Sequence, residues 1–81
     1  MRITVKFFAI LRDRAGVAET TLNLADGTSA RAAVELLRQQ FPAIADLTKK
    51  AAIAVNCDYA PAEEILADGD ELVLIPPVSG G

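Results

Sequence analysis

The sequence contains no histidine, no tryptophan and a single cysteine, Cys57. Without histidine, neither a Ser-His-Asp nor a Cys-His arrangement can be assembled, and the commonest general base is missing. Self-contained acyl transfer is therefore not expected. One cysteine permits no internal disulfide and no multi-cysteine zinc site, and predicts a reducing, cytoplasmic setting. The five glycines stand at 16, 27, 69, 80 and 81, a spacing that makes neither a G-x-x-x-x-G-K-S/T loop nor a G-x-G-x-x-G turn for phosphates. If a nucleotide takes part, another protein must bind it. No apolar run approaches membrane-spanning length, and residues 1 to 6 lack the apolar stretch of a secretory signal. The expectation is a chain that stays inside the cell and off the membrane.

What is present is hydrophobic for its size. The chain has 81 residues, 52% of them hydrophobic, which fits one compact domain and leaves no room for a second. A fold this small buries only about 60 to 65 per cent of its unfolded surface, so a large internal cavity is not affordable. Small-molecule chemistry is then expected in a partner's pocket or at an exposed end. The net charge of −3 argues against non-specific nucleic-acid binding. Charge is also segregated along the chain: all eight bases lie in residues 1 to 50, whereas residues 51 to 81 hold Asp58, Glu63, Glu64, Asp68, Asp70 and Glu71 and no base. That acidic third reads either as a solvated face or as a patch that steers a basic partner towards the C-terminal end.

The hydrophobic pattern predicts an α+β domain. Residues 2 to 8 alternate, with Ile3, Val5 and Phe7 on one face of a strand and Thr4, Lys6 and Phe8 on the other, so Phe8 points away from the core. Residues 9 to 16 read as a short helical connection ended by Gly16, and Thr20, Leu22 and Leu24 as a second strand before an Asp26-Gly27 turn. Thr28 is the expected N-cap of the main helix, whose buried stripe is Ala30, Ala33, Val34, Leu37 and Phe41, stopped by Pro42. A further helical turn carries Ile44 and Leu47; residues 51 to 56 give a third strand, and the region around Tyr59 a short edge strand and turn. After the Asp68-Gly69-Asp70 turn, the run Glu71-Leu72-Val73-Leu74-Ile75 predicts a central strand. The order suits one mixed sheet of about five strands with one main helix across it. With the first and last strands side by side, Phe8, Val73 and Ile75 form an apolar patch on the face away from the helix.

The last six residues, Pro76-Pro77-Val78-Ser79-Gly80-Gly81, carry no charged side chain. They read as a flexible functional tail, 76–81, on a globular unit, 1–75. Extended, they reach about 20 Å, enough to enter a buried site on another protein. Pro76 and Pro77 stiffen the base by fixing φ, and Gly80 and Gly81 let the tip pass a narrow channel. Ordering residues 78 to 81 costs on the order of 4 to 8 kcal/mol of backbone entropy, so the domain surface must dock as well. A frayed end is the competing reading. Cys57, beside Asp58 and with no histidine near it, reads as an incidental thiol, and the carboxylates at 63, 64, 68, 70 and 71 as turn and surface residues rather than a metal site.

Four segments together carry a resemblance: Ile3-Thr4-Val5-Lys6-Phe7-Phe8, Val55-Asn56, Asp68-Gly69-Asp70-Glu71 and Pro76-Pro77-Val78-Ser79-Gly80-Gly81. The chain resembles the small subunits of molybdopterin synthase, sulfur carriers of the ubiquitin-like kind, over its whole length. The tail is the specific part, since Gly-Gly alone is shared with ubiquitin and the thiamin sulfur carrier. The resemblance implies a β-grasp fold and a non-catalytic subunit that binds no cofactor itself. It implies a partner adenylating enzyme that uses ATP to activate Gly81 as an acyl-adenylate, and sulfur that then displaces AMP to leave a thiocarboxylate. It further implies a large synthase subunit, in a heterotetramer, that uses this sulfur on cyclic pyranopterin monophosphate. Gly81 would carry the reaction and Gly80 give access; Phe8, Tyr59 and Ile75 would make the docking surface, continued by Pro76, Pro77, Val78 and Ser79. Sulfur transfer for the thiamin or tungsten cofactor, and isopeptide formation by a protein modifier, are the alternatives.

Overall fold

The computed structural model describes residues 1–76. Five strands, β1 (Arg2–Phe7), β2 (Glu19–Asn23), β3 (Ala52–Val55), β4 (Asp58–Tyr59) and β5 (Glu71–Ile75), form one mixed sheet in the order β2-β1-β5-β3-β4. β5 lies at its centre, parallel to β1 and antiparallel to β3. Its continuous apolar run follows from that position: Leu72 and Leu74 are fully buried against the helix side, and Val73 is 7% exposed on the other. Two further helices, α1 (Ala9–Ala15) and α3 (Ala45–Thr48), and the 3-10 turn Pro42–Ile44 join the main helix α2 (Ala30–Gln40). This is the β-grasp arrangement that the resemblance implies.

The core lies between α2 and one face of the sheet. Ala30, Ala33, Val34 and Leu37 on α2 meet Ile3, Val5, Phe7, Leu72 and Leu74 from the central strands. The rings of Phe7 and Phe41 meet edge to face, with centroids 5.4 Å apart. The expected stripe is therefore present, with Phe41 as the C-cap and only partly buried. The expected N-cap is corrected. Ser29, not Thr28, caps α2, its Oγ accepting from the Ala32 amide at 3.2 Å. Thr28 Oγ1 instead donates to the Ala25 carbonyl at 2.6 Å, which spends its hydroxyl on the turn before the helix.

Three local devices shape the connections between these elements. Gly16 closes α1 in the left-handed region at φ +81°, with its amide on the Arg12 carbonyl, as its C-terminal position predicts. Asn56 and Cys57, at φ +50° and +72°, make the tight two-residue link between β3 and β4, where asparagine is favoured and glycine more usual than cysteine. The Asp68-Gly69-Asp70 turn is held from both sides: Asp68 Oδ1 accepts from the Arg2 amide at 2.7 Å, and Asp70 accepts from Asn56 Nδ2 and the Ala67 amide, each at 2.8 Å. These bonds tie the turn before β5 to the start of β1 and to the β3–β4 link.

Candidate functional site

The face of the sheet opposite α2 carries the candidate site. Phe8 follows β1 and precedes α1, with extended backbone at φ −115° and ψ 150°. Its carbonyl accepts from the Leu11 amide at 3.0 Å, which anchors the main chain while the side chain stays 51% exposed. The β1–β5 register pairs Phe7 with Leu74, so the next residues along, Phe8 and Ile75, are neighbours on the outer face. Ile75 is half-buried and ends β5. Tyr59 of β4, opposite Ala54 of β3, contributes a third apolar body and is 79% exposed.

These side chains border a shallow groove of about 240 Å³, floored by Ala54 and Val73 and walled by Phe8, Cys57, Tyr59 and Ile75. Glu71 stands at its rim, its Oε2 3.2 Å from Lys6 Nζ. Such a half-exposed ion pair contributes at most about 1 kcal/mol, so it frames the groove rather than closing it. The groove's one thiol, Cys57, has no histidine to pair with, since the sequence contains none. The chemistry of the groove is that of a docking surface: aromatic and aliphatic side chains in water on a rigid sheet, next to the strand from which the last residues depart.

The structure therefore brings Phe8, Tyr59 and Ile75 together, with Pro76, half-buried, immediately beyond. Pro77, Val78, Ser79, Gly80 and Gly81 lie outside the described residues. Val73 is corrected from a displayed residue to a floor: Lys6 and Ala54 flank it in register, and it is nearly covered. A family model described as the ThiS family matches residues 5–81.

The chain belongs to the ThiS family. It is 39% identical over 83 residues to the molybdopterin synthase sulfur carrier subunit of Chlamydomonas reinhardtii, covering 100% of both chains. Among solved structures it resembles SAMP1 of Haloferax volcanii, at 28% identity and a TM-score of 0.89 over 100% of both chains. It also resembles a putative molybdopterin converting factor, subunit 1, of Pyrococcus furiosus, at 30% identity and a TM-score of 0.87 over 96% of this chain and 99% of that one.

In this member of the ThiS family, sequence reasoning missed three parts of the groove. Ala54 and Glu71 follow from strand parity only once the β3–β5 and β1–β5 registers are known. Cys57 reaches the groove wall because the β3–β4 link runs through two left-handed residues, which nothing in its side chain announces.

Proposed function

We propose that the chain is a cytoplasmic sulfur carrier for molybdenum cofactor synthesis, loaded at the Gly81 carboxylate and unloaded inside the large subunit of molybdopterin synthase. The observation that carries this reading is the apolar face of Phe8, Tyr59 and Ile75 beside the end of β5, six residues before Gly81. End-to-end likeness to a sulfur carrier subunit supports it.

The chemistry follows from the weakness of a carboxylate as an acyl donor. A partner adenylating enzyme brings a Gly81 oxygen onto the α-phosphorus of ATP, and pyrophosphate leaves. A sulfide equivalent then attacks the acyl carbon and AMP departs, leaving a thiocarboxylate with a nucleophilic sulfur. In the large subunit that sulfur passes to cyclic pyranopterin monophosphate, and the carboxylate is regenerated. The small chain supplies the handle and the reach; the partners supply nucleotide site, base and substrate pocket. Gly80 has no side chain to obstruct a narrow channel. Two such chains would flank a dimer of the large subunit.

The test is deletion of Gly81. The expected result is loss of molybdoenzyme activity in a strain lacking the native carrier, with the thermal midpoint unchanged, and an oxygen-to-sulfur exchange at the C-terminus of the full chain by intact-mass measurement. Restored activity from the truncated chain overturns the reading. A second reading, an isopeptide-forming modifier, is favoured by the likeness to SAMP1, a small archaeal modifier protein. Gly81 adducts on lysines of other proteins, in place of the sulfur exchange, would select it.

A further inference from the structure

A second groove opens round the edge of the sheet from the Phe8 face. It has a volume of about 510 Å³ and lies between the β3–β4 hairpin and the segment that returns through Glu64 and Ile65. Tyr59 borders both grooves, so the two surfaces are continuous. Its apolar walls are conspicuously uncovered: Tyr59 is 79% and Ile65 58% exposed. β4, on which Tyr59 stands, is an outer strand of the sheet, with a main-chain edge available to an extended segment.

The charged lining is of one sign. Asp58, Glu64 and Asp70 face this groove, and no base does. Asp70 is committed to Asn56 and the Ala67 amide. Asp58 and Glu64 take part in no ion pair among the described residues. The base-lined hollow beside α2 differs. There Arg31, Arg38 and Lys49 are each already matched, by Glu63, Glu35 and Asp46. In that hollow the bases are answered within the chain, whereas Asp58 and Glu64 beside Tyr59 have no base opposite them among the described residues.

We propose that this groove is a second docking site for a basic, extended segment of the protein that receives the tail. An apolar residue of that segment sits between Tyr59 and Ile65, and its lysine or arginine meets Asp58 and Glu64. The inference rests on the docking role of the Phe8 face, which it continues across β4. Rim charges of this kind act mainly on the rate of encounter and its salt dependence, and apolar anchors on the rate of escape.

The test uses the full chain and the large molybdopterin synthase subunit of the same organism as the probe, with association followed by stopped flow at several salt concentrations. Asp58→Asn with Glu64→Gln is expected to slow association about five- to tenfold at low salt and to flatten the salt dependence. Ile65→Ser is expected to speed dissociation several-fold, and Phe8→Ala serves as the reference for the first face. All four side chains are exposed, so the fold should survive each change. Wild-type association, dissociation and salt dependence in the groove variants, with Phe8→Ala impaired, overturn the second site alone. Unimpaired Phe8→Ala overturns the docking face, and the extension falls with it.

Discussion

The two faces of the sheet are built from alternate residues of the same strands and have opposite fates. Ile3, Val5, Phe7, Leu72 and Leu74 look inward and are almost wholly covered by α2 and its neighbours. Phe8, Ile75 and Tyr59 look outward, and among the described residues no helix side chain lines the groove they border. The difference is not one of composition, since both faces carry aromatic and aliphatic side chains. One face is closed by this chain, and the other, on the proposed reading, is closed by a partner. Hydrophobic surface on the inner face contributes to folding, whereas the same surface on the outer face contributes nothing until a partner removes it from water.

The largest expected break in this comparison is Leu72→Ala. It empties a fully buried site beneath α2 and should lower unfolding free energy by about 2 to 5 kcal/mol in a urea titration. Phe8→Ala, a larger truncation only one face away, should change stability by less than about 0.5 kcal/mol. It should instead weaken the complex with the large subunit about tenfold or more by calorimetry, because the anchor rather than the core is lost. A loss of folding stability comparable to that of Leu72→Ala would erase the distinction between the faces. Ser29→Ala removes the cap of the helix that covers the inner face and should cost about 1 kcal/mol by thermal denaturation, whereas Thr28→Ala should cost less. The smallest effect is expected at the outer hairpin. Cys57→Gly relieves a left-handed residue and should raise stability by about 0.5 kcal/mol, with the Phe8 face unchanged.

Much of this division was legible in the sequence because strand parity is local. Ile3, Val5 and Phe7 alternate with Thr4, Lys6 and Phe8, so placing Phe7 inside places Phe8 outside without further information. The stripe on α2 and the apolar run of β5 are equally local signals. What escaped was long-range. Thr28 and Ser29 are both competent caps, and the choice between them is made by where the backbone enters the helix, which leaves the Thr28 hydroxyl on the Ala25 carbonyl. Val73 has the parity of a displayed residue, yet Lys6 and Ala54, brought beside it from β1 and β3, nearly cover it. The groove at Ile65 arises only when the 61–66 segment is drawn back to α2, where the Ala30 amide reaches the Glu64 carbonyl at 2.8 Å.

The central place of β5 has a mechanical consequence. A pull on the terminal residues, as when a receiving channel grips them, is transmitted straight into a strand bonded along both flanks, to β1 on one side and β3 on the other. Such a load acts in shear: the hydrogen bonds along both flanks must yield nearly together, whereas an edge strand would peel away rung by rung. The handle is thus fixed to the most tear-resistant beam of the domain, and traction on it should draw the whole molecule along before it unravels any part.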